Sequence, residues 1–194
     1  MQNFHSIGIL GGTFDPVHLG HLHLASEILL KANLDTILFI PCYQSAYGKE
    51  IIATPNQRLA MLKLAILENP KFSIDDREIK RKNISYTIDT IKSLHDEFPN
   101  STLHLIMGFD ALLQFKNWRD WQGILKLANL IVADRPDVVG SFDKIKDLPK
   151  NIIKINPLPI SATKIRTLIK TGESAKHLLP EKVWRYIIEN NLYH

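Results

Sequence analysis

The stretch Gly8–Ala25, GILGGTFDPVHLGHLHLA, runs from apolar residues through Gly11 and Gly12 to three histidines, His18, His21 and His23. The two glycines allow the backbone to bend and a ligand to approach bare main chain. Thr13 and Phe14 then offer N–H groups. A helix is expected from His18 or Leu19, and its first N–H groups, lacking intrahelical partners, form an anion site. His18 and His21 are three residues apart and share one helical face. Two imidazoles beside such N–H groups suit a polyphosphate. The residues alone leave two other readings open: a tight turn with solvated histidines, or a zinc site built from His18, His21 and either Asp15 or His5. Zinc needs three or four ligands, and no third ligand follows at fixed spacing. Neither G-x-G-x-x-G nor G-x-x-x-x-G-K-[ST] occurs at this turn, so a dinucleotide fingerprint or P-loop gains no support there.

A second candidate is PISATKIRTLIKTG, from Pro159. Ser161 is suited to cap a helix and Gly172 to end it. Lys164 and Arg166 nevertheless stand in the first turns, where the helix dipole disfavours cations. A bound anion would account for them, and so would a solvated helix start that tolerates two long side chains. Elsewhere, RKNISYTIDTIKSL places Ser85 and Thr87 at an expected helix start, where spacing alone favours capping. MGFDALLQFKNWRDW supplies Gly108, Asp110, Trp118 and Trp121 after a strand. Asp110 is suited to ribose hydroxyls and Trp118 to an aromatic ring. Trp121 reads as core.

The elements that must position these residues alternate between strand and helix. Strands are expected at Ser6–Leu10, Thr36–Ile40, Phe72–Asp75, Thr102–Gly108, Leu130–Ala133 and Ile152–Ile155. Helices are expected at Leu19–Lys31, Asn56–Glu68, Tyr86–Glu97, Ala111–Phe115, Trp121–Ala128, Thr163–Lys170 and Glu181–Asn190, and Cys42–Pro55 reads as a loop. The pattern predicts an α/β fold with a doubly wound parallel sheet and a small C-terminal helical part, about 161–194, within one domain spanning 1–194. Ligands in such sheets bind beyond the carboxyl ends of the strands. The Gly11–Gly12 turn and Gly108 should therefore meet at one crevice.

The bulk properties agree with that class. The chain has 194 residues, 45% hydrophobic and 23% charged, and a formal charge of +4. Its mild basicity fits an anionic partner but is too small to argue for nucleic acid. The single cysteine, Cys42, excludes an intrachain disulfide and suggests a reducing compartment, the cytoplasm. No signal peptide and no membrane span are expected. A homo-oligomer is compatible with the sequence, which does not fix the assembly.

The segment GGTFDPVHLGH resembles the nucleotidyltransferase superfamily signature G-T-F-D-P-x-H-x-G-H, and ISATKIR resembles its second signature, I-S-[SA]-T-x-x-R. With RLAMLKLAI, REIKRKNISYTIDT, MGFDALLQFKNW, DRP and LLPEKVWRYIIENNLY, nearly the whole chain is similar to the bacterial nicotinate-nucleotide adenylyltransferases. The resemblance implies a Rossmann-like nucleotidyltransferase fold. It implies adenylyl transfer from ATP to nicotinate mononucleotide in NAD biosynthesis, with Mg²⁺ bound mainly through the ATP phosphates and no metal ligand from protein side chains. It further implies that Gly11, Gly12, Thr13, Phe14, His18, His21, Lys49, Asp110, Ser161 and Arg166 bind ATP, and that His18, His21 and Arg166 act on the reacting phosphates. Thr13, Thr87 and Trp118 would receive nicotinate mononucleotide. One departure stands out. Where the family has a Pro-Pro-His-Lys/Arg loop, this chain reads IPCYQSAYGKEII, with Tyr47 at the histidine position and Lys49 as the basic residue. Phosphopantetheine adenylyltransferase shares both phosphate signatures but lacks the S-Y-T and tryptophan matches. A preference for the nicotinamide mononucleotide is the subtler alternative.

Overall fold

The structure is a computed structural model that describes residues 4–46, 48, 50–134, 148, 150–156 and 158–194. Six strands form the main sheet: β1 (Ser6–Gly12), β2 (Thr36–Pro41), β4 (Phe72–Ile74), β6 (Thr102–Gly108), β7 (Asn129–Asp134) and β8 (Lys150–Lys154). Their order is β4-β2-β1-β6-β7-β8 and every neighbouring pair is parallel. The chain moves outward from β1 in one direction and then restarts at β6 on its other side. That reversal puts the carboxyl ends of β1 and β6 beside each other, the place where α/β sheets leave a crevice.

Alternation along the strands divides the core into two layers. Ile37, Phe39, Ile106, Ile131 and Ala133 face one side, where Ala25, Ile28, Met61, Leu62, Ile165, Ile169, Val183 and Ile187 cover them. Those residues come from α1 (Leu19–Lys31), α2 (Pro55–Ile66), α7 (Ala162–Lys170) and α8 (Glu181–Glu189). Ile7, Ile9, Leu38, Ile40, Leu105, Met107, Leu130 and Val132 face the other side, under Ile88, Ile91, Leu94, Leu112 and Ile124. Here the cover is α4 (Thr87–Glu97), α5 (Phe109–Leu113) and α6 (Trp121–Leu127). The helix ends follow local chemistry. Thr54 and Gln57 form a capping box around Pro55 at the start of α2. Ser161 Oγ accepts the Lys164 N–H at 3.2 Å, and Gly172, at φ +79°, follows the end of α7.

Several expectations need correction. Gly11 and Gly12 do not bend the chain. They continue β1, paired with Ile40 and Pro41, and β2 likewise includes Pro41. The turn comes later, at Phe14 (φ +50°) and the cis Asp15–Pro16 bond. The Cys42–Pro55 segment holds a short strand, β3 (Gln44–Ser45), parallel to β5 (Ile84–Ser85). Neither Ser85 nor Thr87 caps α4: its N-cap is Tyr86, with no side-chain cap bond, and Ser85 Oγ instead accepts the Tyr43 N–H at 3.1 Å. A five-residue helix, α3 (Arg77–Arg81), was not anticipated. Its polar sequence carries no apolar period long enough to read. Of the DRP segment, Arg135 and Pro136 fall outside the described residues.

Gly8 shows how closely the first layer is packed. A Cβ there would lie 2.8 Å from Leu34 Cδ1, 2.9 Å from Ile106 Cδ1 and 3.0 Å from Ile37 Cγ1. Gly8→Ala is expected to cost about 1–3 kcal/mol through overpacking. Urea unfolding measures it, and an unchanged midpoint would contradict the packing described.

Candidate active site

At the junction of β1 and β6 lies a cavity of about 620 Å³. Thr13, His18, Gly20 and His21 line it from the first motif, Gly108, Phe109 and Asp110 from the end of β6, and Ser161, Ala162, Thr163 and Arg166 from the second motif. Segments at the two ends of the chain thus face one hollow, as their chemistry required. Two helix N-termini reach it, those of α1 and α7, and neither has an acidic residue in its first turn. The positive helix ends are therefore not neutralised from within.

His18 is the N-cap of α1 and is only 6% exposed. Burial pushes its pKa down to about 4, so the ring is neutral at pH 7. Its Nδ1 is buried with no hydrogen-bond partner among the described residues, an unusual cost for a polar atom. The His21 ring stacks on it, centroids 3.7 Å apart. The His18 N–H donates to His21 Nδ1 at 3.3 Å. The rings lie close because residue 20 is glycine: a Cβ there would come 3.0 Å from His18 Nδ1.

The turn between β1 and α1 is fixed from behind. Arg58 of α2 is fully buried and donates to three carbonyls: Thr13 at 2.7 Å, Tyr43 at 3.0 Å and Ala53 at 3.2 Å. Asp15 is 1% exposed, and its carboxylate accepts from the N–H groups of Ile52 (2.7 Å) and Ala53 (3.1 Å) and from the Tyr193 hydroxyl (2.7 Å). Arg166 donates to the Asp15 carbonyl at 2.8 Å. These bonds assign Asp15 to the scaffold and leave it no part in a zinc site. His5 stands before β1, at the opposite end of the strand from His18, where its N–H donates to Asp35.

The remaining expected residues separate into groups. Gly11, Gly12 and Phe14 do not line the cavity. Phe14 is buried and packs edge-on to His21, ring centroids 5.1 Å apart. Thr87 and Trp118 do not line it either, but their segments meet elsewhere. The Arg119 guanidinium lies 4.7 Å from the centre of the Tyr86 ring, which joins the S-Y-T turn to the tryptophan segment. Trp118 packs 5.5 Å from Phe115, and Trp121 is half-buried against the second layer, as core. Lys49 and Tyr47 lie outside the described residues. Lys164 is exposed and does not line the cavity.

Sequence reasoning did not single out Arg58, Tyr193 or Glu50, and gave His23 no role of its own. Glu50 and His23 line the cavity, and His23 Nε2 lies 2.7 Å from the Asn156 carbonyl, linking α1 to the chain after β8. Arg58 did leave a signal, since it occupies the same helical face as Met61 and Leu62, where a charge needs partners.

The family described as cytidylyltransferase-like matches residues 9–168. A protein of Hydrogenovibrio crunogenus named "probable nicotinate-nucleotide adenylyltransferase" is 38% identical over the whole of both chains. One of the same name from Dictyoglomus turgidum is 40% identical over 96% of this chain and 95% of its own. Among solved structures, the nicotinic acid mononucleotide adenylyltransferase of Plasmodium falciparum complexed with NaAD superposes with a TM-score of 0.84, covering 97% of each chain at 22% identity. At that identity the superposition speaks for the fold.

The neutral state of His18 has a consequence for stability. The unfolded chain takes up its proton near pH 6.5, the folded chain only near 4. Stability from this group is present above pH 6.5, falls as the pH drops toward 4, and levels off below, a loss on the order of 3 kcal/mol. His18→Asn is expected to flatten that part of the profile, read from urea unfolding at pH 7 and pH 4.5. Parallel profiles for variant and wild type would show that His18 is not the group responsible.

Proposed function

The chain belongs to the cytidylyltransferase-like family and, within it, to the nicotinate-nucleotide adenylyltransferases, and we infer from its cavity how it carries out their reaction. It transfers the adenylyl group of ATP to nicotinate mononucleotide, giving deamido-NAD and pyrophosphate, a step of NAD biosynthesis. The observation that carries the mechanistic reading is the convergence of both phosphate signatures on one hollow.

The nucleophile is the phosphate of nicotinate mononucleotide. A phosphate monoester is mostly dianionic at pH 7, so it requires no general base and no protein nucleophile. Attack is direct and in line, without a covalent intermediate. The obstacle is bringing one anion onto the α-phosphorus of another, so the protein contributes position and positive field. The α1 N-terminus, His18 and His21 face the phosphates. His18, a neutral imidazole at pH 7, and His21 donate hydrogen bonds to them. Arg166 and the Ser161 end of α7 take the outgoing phosphates, and Asp110 accepts from the ribose hydroxyls. The joined Tyr86–Arg119 segments hold the nicotinate half, with Thr87 and Trp118 as its contacts.

Mg²⁺ bound through the ATP phosphates would spread their charge. Magnesium keeps several waters and binds through substrate phosphates. The donor set suits such a loosely held ion: the cavity offers two carboxylates, Glu50 and Asp110, beside imidazoles and an arginine. We place the reaction in the cytoplasm, on the single reduced cysteine. Among the described residues no helix is long and apolar enough to cross a membrane.

ATP labelled at the α-phosphorus is expected to pass its label to a dinucleotide with nicotinate mononucleotide, and far less well with nicotinamide mononucleotide or phosphopantetheine. His21→Ala should lower kcat by about a hundredfold or more, the scale of losing a transition-state donor, while the protein stays folded by circular dichroism. Wild-type turnover in His21→Ala would remove the histidine from the mechanism.

A further inference from the structure

Behind the phosphate turn lies the buried Asp15 carboxylate, and one of its donors comes from 178 positions away in sequence. Tyr193 is 6% exposed, and its hydroxyl donates to Asp15 Oδ1 at 2.7 Å. Burial, then the negative charge of Asp15, raises the phenol's pKa above its ordinary value, so the hydroxyl keeps the proton it donates. The other two bonds to this carboxylate are backbone N–H groups of Ile52 and Ala53. Tyr193 is thus the side chain that anchors Asp15 among the described residues. The carbonyl of the same Asp15 holds Arg166 at 2.8 Å, and Arg166 lines the cavity. Tyr193 itself does not.

We propose that Tyr193 is a positioning residue for ATP, its hydroxyl acting through Asp15 to hold Arg166 and the Thr13–His18 turn where the triphosphate needs them. The inference rests on the reading of the cavity as an ATP site. It separates Tyr193 from its packing neighbours. Val183 and Ile187 share its apolar cluster but touch no group of the phosphate turn by hydrogen bond.

The test compares the full-length variants Y193F and V183A for kcat, for KM of each substrate and for melting temperature. Y193F is expected to raise the KM for ATP about tenfold, with the KM for nicotinate mononucleotide within about twofold, as fits loss of one charge-assisted hydrogen bond. V183A should lower the melting temperature at least as much while keeping the KM for ATP within about twofold, since it opens a cavity but removes no hydrogen bond to the turn. A wild-type KM for ATP in Y193F, or an equal rise in V183A, overturns the proposal. The wild-type chain gives a second readout that does not depend on Y193F folding. A non-hydrolysable ATP analogue should slow amide exchange at 187–194, and unchanged exchange there contradicts the coupling. Absence of dinucleotide formation by the wild type would count against the site reading, whereas an unperturbed Y193F counts against Tyr193 alone.

Discussion

Uncompensated helix ends set the terms for this molecule. The N-termini of α1 and α7 both face one cavity, with no acidic residue in either first turn and a neutral, buried imidazole at the start of α1. Each helix end concentrates about half a positive charge. Two of them, with Arg166 lining the same hollow, give it a field that suits an anion. The orphaned His18 Nδ1 belongs to the same pattern. A folded protein tolerates such a group where a ligand completes it.

The rest of the structure maintains that arrangement against its tendency to relax. The sheet order places β1 beside β6, so two strand ends and two helix starts share one edge. Behind the turn, Arg58 donates to carbonyls of three segments, and Asp15 gathers two backbone N–H groups and a phenol. A buried arginine and a buried carboxylate are costly unless every bond is made. Here the bonds are made, and they draw together the segments around residues 13–15, 43, 52–53, 166 and 193. The same polar network therefore builds the scaffold and aims the cations.

Much of this was readable from the residues. The glycine–histidine and Ser161–Arg166 segments suggested an anion site, beside solvated and zinc readings, and both line one cavity. The strand–helix alternation gave the sheet, since Thr102–Gly108 and Leu19–Lys31 carry clear periods. Features set by distant partners were not readable. Nothing local marks Ser85 as the acceptor for the Tyr43 N–H rather than a cap, because that bond spans 42 residues. Asp15 looked as much like a metal ligand as a scaffold acceptor, since its donors lie 37 or more residues away. The glycines were misread as a bend because their lack of side chain serves the strand end equally well. Phe14, with its positive φ, makes the turn that a glycine would be expected to make.

The account depends on an anion completing the site around His18. Its most direct test is the pKa of His18 followed by NMR of the labelled imidazole, first in the protein alone and then with a saturating non-hydrolysable ATP analogue. We expect a value near 4 in the protein alone and a clear upward shift with the analogue bound, as the triphosphate stabilises the protonated ring. A His18 resonance whose titration the analogue leaves unchanged would contradict the claim that these helix ends hold the phosphates.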